Sequence, residues 1–247
     1  MKTTYRFYAM AFAFSGLLFA SCSEDTDPDV IGEGAVQIGM GVKLKNTTSS
    51  SARLMNSGIE VKSGFLQIKE IELETEGRDE NGNAFERQVS LKFSEIKKID
   101  FNEFDGGVDF FINIPSGNYE EIEFDIDLID NRNLPSIQLD GIYTYQDGRT
   151  VPMTFQVFGN DDDDFDFQVE LEARIDDDLF FLDGLNNPLA LFQIDAKGWF
   201  ISVTTSNLED AVLTNGVLLI NKDINGSIYR IVESRIKNST DLELKMN

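Results

Sequence analysis

The chain has no histidine, one cysteine and one tryptophan among 247 residues. The missing histidine removes the usual general acid or base near neutrality. Ser-His-Asp and Cys-His nucleophile arrangements are excluded, as are histidine-ligated zinc and haem. A lone cysteine provides no internal disulfide, so any fold must be held by its core. Basic residues are also scarce: 21 Lys and Arg face 44 Asp and Glu, a formal net charge of −23. Such a chain repels nucleic acid and anionic lipid and attracts cations, and the charge favours solubility. No Walker-type or dinucleotide loop is present, and Gly106-Gly107 alone does not make one.

What is present begins at the N-terminus. Lys2 and Arg6 precede a run from Phe7 to Ala20 that is apolar except for Ser15 and Gly16. The run is shorter than the 20 or so residues needed to cross a bilayer, and small residues follow it. Cys22, the only cysteine, then stands where a bacterial lipoprotein signal requires it, so residues 1–21 read as a signal peptide and Cys22 as the lipidation site. Its lipid exceeds the single acyl chain that anchors only reversibly, which predicts stable attachment to the bilayer. Residues 22–33 contain Ser23-Glu24-Asp25-Thr26-Asp27-Pro28-Asp29 and read as an acidic tether. Loss of Lys2 and Arg6 with the signal takes the mature charge to −25.

Residues 34–247 are long enough for a single core. Val36, Ile38, Met40, Val42 and Leu44 alternate with small or polar residues. Residues 46–58 read as a loop around Arg53. Leu66 and Ile68 share a parity that Ile71 and Leu73 do not, which predicts a bulge near Lys69-Glu70. Gly77 to Asn83 is a hairpin loop with an Asn-Gly turn signal. Val108 to Ile114 and Ile122 to Leu128 read as strands. In the second, Glu121, Glu123, Asp125 and Asp127 occupy the polar parity, so a one-residue slip would bury four carboxylates. Ile137 to Tyr145 and Val151 to Phe158 form another hairpin, with Pro152 at a late start or an edge. Phe165 to Ile175 and Leu189 to Thr204 complete the strand series. Ile224, Ile228, Ile231, Val232 and Ile236 then fall at helical spacing, predicting a helix over about 226–237 capped by Asp223 or Asn225. The expected fold is mainly β: an antiparallel β-sandwich with one C-terminal amphipathic helix.

Two stretches carry a family resemblance. One runs from Ile114-Pro115-Ser116-Gly117-Asn118-Tyr119 through Leu128 to Ile137-Gln138-Leu139-Asp140-Gly141. The other holds Trp199-Phe200, Gly216 to Asn221, and Ile228-Tyr229. Together with the opening segment, they make the chain resemble uncharacterised Bacteroidetes lipoproteins with a domain of unknown function. The resemblance implies a β-sandwich in the style of transthyretin-like and pilin-like modules, and no catalytic residues. Acidic residues after the lipidated cysteine in these lipoproteins imply an outer-membrane protein exported to the cell surface.

The candidate sites are few. Asp161, Asp162, Asp163, Asp164 and Asp166 form an acidic run between two strands, and calcium takes several oxygen ligands of this kind. The spacing does not match the helix-loop-helix calcium motif, and a solvated turn that blocks edge pairing explains the run as well. Asp176-Asp177-Asp178 and Asp79/Asn81/Asn83 are weaker candidates. Tyr143, Tyr145, Trp199 and Phe200 are the aromatics available to stack on sugar rings, although core packing accounts for them better. No cofactor is required, with calcium as the one optional ion. The expected function is a non-enzymatic binding or adhesion module with a glycan or protein ligand. A pilin-like subunit processed at Arg53 and a carboxylate-only glycoside hydrolase are the alternatives.

Overall fold

A computed structural model describes residues 28–45, 58–79, 81–102, 104, 107–159, 166–172, 180–185, 189–236 and 240–245. The first strands are β1 (Asp29–Gly32), β2 (Val36–Leu44), β3 (Ile59–Arg78), β4 (Ala84–Asn102), β5 (Phe110–Ile114) and β6 (Gly117–Leu128). There follow β7 (Pro135–Thr144), β8 (Thr150–Phe158), β9 (Asp166–Glu172), β10 (Phe180–Leu182) and β11 (Leu189–Ile194). The chain closes with α1 (Ala196–Phe200), α2 (Thr205–Glu209), β12 (Leu218–Ile220), α3 (Gly226–Ile236) and β13 (Thr240–Lys245).

The strands form two sheets. One has the order β1-β5-β2-β11-β13. The other has the order β10-β6-β3-β7-β8-β12, with β4 also on β3 and β9 also on β6. A single apolar cluster draws residues from both, including Ile38 and Ile112 from the first sheet and Leu73 and Phe124 from the second. Phe93 of β4 meets Phe110 of β5 edge to face, with centroids 5.4 Å apart. The mainly β, sandwich-like architecture therefore agrees with the alternation of the sequence.

Strand direction does not. The pairings β1–β5, β2–β11 and β8–β12 are parallel, so both sheets are mixed rather than antiparallel. Alternation reports that one face is buried and carries no information on direction. Parallel neighbours need a crossover between them. Here long stretches of chain intervene, and part of the stretch between β8 and β12 is α1 and α2.

The long β3–β4 ribbon organises the second sheet. Leu66 lies opposite both Ile137 and Ile99, and Leu73 opposite both Phe124 and Val89. β6 and β7 therefore share one edge of β3, end to end, and β4 lines the other edge. The predicted bulge is present. Ile68 stands opposite Leu128 and Glu70 opposite Asp127, which leaves Lys69 without a β6 partner. Leu66, Ile68, Ile71 and Leu73 consequently all face the core despite their change of parity. On β4 the offset is larger: Ile68 faces Lys97 and Glu70 faces Lys92, so residues 93–96 form a wide bulge opposite Lys69 alone. Gln67 closes the gap where β6 hands over to β7. Its carbonyl accepts from Ile129 N at 2.9 Å, and its amide donates to Pro135 O at 2.7 Å. Gly64, flanked by β7 and β4, has no room for a side chain, since a Cβ there would stand 2.4 Å from Gln138 O.

The turns follow their residues. Asp79 Oδ1 accepts from the Asn81 and Asn83 backbone amides at 2.8 and 2.9 Å, and Gly82 takes a φ of 81°. Pro152 lies within β8, which starts at Thr150, but just outside the residues paired to β12. It thus sits at a free edge, where its missing N–H costs nothing in the ladder.

Four expectations need correction. β1 starts at Asp29, inside the segment read as tether. Leu189 to Thr204 is not one strand. β11 ends at Ile194, and the Asp195 carboxylate accepts from Gly198 N at 2.9 Å to start α1, which carries Trp199. The predicted helix is present as α3, but α1 and α2 precede it and β13 follows it. Finally, Asn225 adopts a φ of 56° and spends its side chain on Val212 and Leu219 rather than on a helix cap.

The helices pack on the β7–β8–β12 part of the second sheet. Phe155 of β8 lies 5.6 Å from the Phe200 ring of α1 and 5.9 Å from the Tyr229 ring of α3. Phe155 is fully buried between them. Truncating it removes that shared contact and leaves a cavity, so Phe155→Ala should cost about 3–5 kcal/mol of unfolding free energy. Denaturant titration followed by Trp199 fluorescence measures this. A cost below about 1 kcal/mol, the scale of an ordinary surface change, would show that the helices do not rest on this ring.

Candidate functional site

The most concentrated chemistry among the described residues is a field of carboxylates on the outer face of β3 and β6. The apolar residues of these strands point inward, so the opposite parity must point outward. The register places Glu70 opposite Asp127, Glu72 opposite Asp125, Glu74 opposite Glu123 and Glu76 opposite Glu121. β9 adds Asp166, Glu170 and Glu172 at the positions opposite Asp127, Glu123 and Glu121. Most of the β3 and β6 carboxylates are half-buried by their neighbours. Like charges directly opposite cost up to about 1 kcal/mol per pair, whereas each large apolar side chain buried beneath returns about 1.5–3 kcal/mol. Burial therefore sets the register and the repulsion is tolerated.

The carboxylates are not equivalent. Asp125 is pushed above the usual carboxylate range by partial burial, and further by Glu74, Glu72 and Asp127. Glu70, buried at the bulge, is pulled below that range by the Ser90 hydroxyl and by Lys92. Lys92 Nζ lies 3.1 Å from Glu70 Oε2. Among the described residues no three His, Cys, Asp or Glu side chains converge on a point that could hold one metal ion. The rows form an extended charged surface instead.

A cleft of about 450 Å³ opens between β1 and residues 92–97 of β4. Val30, Ile31, Phe93 and Ile96 give it apolar walls, and Lys92 and Lys97 stand at its rim. Lys97 Nζ meets Asp29 Oδ2 at 2.7 Å and ties β1 to β4. Val30-Ile31 falls within the segment that residue pattern predicts as tether, which hides this cleft in the sequence. Two apolar residues closing an acidic run were the available signal.

A third cluster is structural. Glu209 Oε1, in α2, accepts from Tyr143 OH at 3.1 Å and from Gln146 N at 2.8 Å. This locks α2 to the β7–β8 turn. Burial, then the bond to Glu209, raises the Tyr143 phenol above its ordinary value. The sugar-stacking candidates Tyr143, Tyr145, Trp199 and Phe200 are all buried, as core packing requires. The Trp199 indole N–H is buried without a hydrogen-bond partner among the described residues.

Cys22, Arg53, Asp161, Asp162, Asp163, Asp164 and Asp176–Asp178 lie outside the described residues. Asp166 opens β9 opposite Asp127. Asp79, Asn81 and Asn83 are joined to one another in the β3–β4 turn, where the Asn83 amide donates to Asp79 Oδ2 at 3.0 Å. Comparison with protein-family models, curated proteins and solved structures finds no match.

The raised Asp125 carboxyl has a pH consequence. The folded state holds this proton more tightly than the unfolded chain does. It therefore binds more protons at pH values just above the ordinary carboxylate range, and stability falls as pH rises through that window. Asp125→Asn should remove this part of the slope and raise stability at neutral pH. Denaturation midpoints measured across pH 3 to 7, a range that brackets the roughly 3.9 of an unperturbed aspartate, test it. A variant less stable than the parent at neutral pH would contradict the assignment.

Proposed function

We propose that this chain is an outer-membrane lipoprotein, held through Cys22 and displayed at the cell surface, that acts by binding rather than by catalysis. The observation that carries the binding part is the carboxylate-covered face of β3 and β6, continued in β9 by register. A broad, like-charged surface on a rigid sheet steers and holds a partner of opposite charge. A protein with a basic surface, or a glycan bearing cationic groups, has the matching chemistry. The lipoprotein part rests on the basic start, the short apolar run and the placement of Cys22.

A strand-exchanging pilin subunit fits less well, because β2 at the centre of its sheet is already paired on both sides, to β5 and β11. A carboxylate-only hydrolase needs two acids flanking a substrate bond. The acids on β3 and β6 stand in rows across a sheet face.

Cys22→Ser should move the protein from the membrane fraction to the soluble fraction, with loss of the acyl mass at the N-terminus. The unaltered lipidated protein should retain a basic protein such as cytochrome c at low salt and release it at high salt. Turnover of a glycan that one carboxylate substitution abolishes would overturn the non-enzymatic reading.

A further inference from the structure

We propose that the mouth of the β1–β4 cleft is the face this protein lays against the bilayer. The inference rests on the reading that Cys22 carries the lipid. From Cys22 to Asp29 the chain makes seven Cα–Cα steps, which span at most about 25 Å when fully extended. Asp29 is both the first residue of β1 and a residue of the cleft wall. The attachment point therefore keeps the cleft, and not the far end of the sheets, beside the membrane.

The cleft also has the chemistry for a lipid surface. Val30 is 52 % exposed and Ile96 is 50 % exposed, and both line it, with Ile31 and Phe93 packed behind against the core. Two exposed aliphatic side chains at the base of a tether are costly in water and favourable in the interfacial zone. Lys92, Lys97 and Lys98 lie along the same stretch of β4 and pair with Glu70, Asp29 and Asp100. With Glu95 also in the cleft lining, three lysines face four acids, so the strip carries about one net negative charge in a chain of formal charge −23, and phosphate headgroups repel it less than they repel the acidic rows. Its lysines are long enough to keep their ammonium groups at headgroup level while Val30 and Ile96 sit deeper. Ile96 belongs to the stretch 93–96 that the register leaves opposite Lys69 alone.

The test uses the mature, lipidated full-length chain in vesicles of phosphatidylethanolamine and phosphatidylglycerol with brominated acyl chains. Once Cys22 is acylated, an added cysteine is the only thiol that takes a fluorescent label. Labels are placed through Ile96→Cys and, independently, Val30→Cys. Thr150→Cys is the reference, at the end of β8 beside the Ile59 end of β3, roughly 30 Å along the ribbon from the bulge at 3.3 Å per residue. Both wall labels should lose fluorescence to the brominated lipid while the Thr150→Cys label does not. Equal behaviour of all three labels, with mass spectrometry showing acylated Cys22, would overturn the docking inference and leave the lipoprotein reading intact. An unacylated Cys22 would overturn both.

Discussion

One constraint governs this molecule: β3 from Leu66 to Leu73 and β6 from Ile122 to Leu128 must bury their apolar residues on one face because the other face carries like charge. Ile122, Phe124, Ile126 and Leu128 are buried, and Glu121, Glu123, Asp125 and Asp127 occupy the intervening positions. Every alternative register of these strands by one residue exchanges the two sets. The desolvation cost of a buried, unpaired carboxylate far exceeds the repulsion between half-exposed ones. The acidic face thus acts as a specificity device for folding. The core beneath supplies the stability that the charges subtract.

The bulge at Lys69 follows from the same constraint. The sequence changes parity between Ile68 and Ile71, and a regular strand would turn one of the pairs Leu66/Ile68 and Ile71/Leu73 outward. Dropping Lys69 out of the ladder with β6 returns both pairs to the core. The wider bulge of β4 opposite Lys69 then leaves a recess, and β1 flanks it with Asp29 bonded to Lys97. A local correction of register thereby leaves the recess that β1 flanks.

Much of this was legible from residue pattern. The strands of the β3–β4 and β7–β8 hairpins, the bulge and α3 leave period or turn signals strong enough to locate, as does the loop read at Gly77 to Asn83, whose first two residues belong to β3. Strand direction was not legible, since Val36 to Leu44 alternates identically whether β11 runs with it or against it. The short helices were hidden for a different reason. Trp199 and Phe200 follow β11 after only Asp195-Ala196-Lys197-Gly198, where the Asp195 carboxylate accepts from Gly198 N and the Asp195 carbonyl from Trp199 N to start a helix. β13 offered only Leu242 and Leu244 as alternation. The acidic rows needed the register: Glu72, Glu74 and Glu76 are distant in sequence from Glu121, Glu123 and Asp125, and only pairing brings them together. The cleft needed β1 to be recognised as a strand, which four residues beside an acidic run did not allow.

Native-state amide hydrogen exchange at neutral pH and low salt, where repulsion across the acidic face is strongest, tests the governing constraint directly. If burial dominates, the amides of Leu66 to Leu73 and of Ile122 to Leu128 will be among the slowest to exchange, apart from Lys69 at the bulge. Exchange in those segments as fast as in the Asp79 to Asn83 turn, with β7 and β8 still protected, would show that the carboxylate repulsion opens this half of the sheet and would contradict the account.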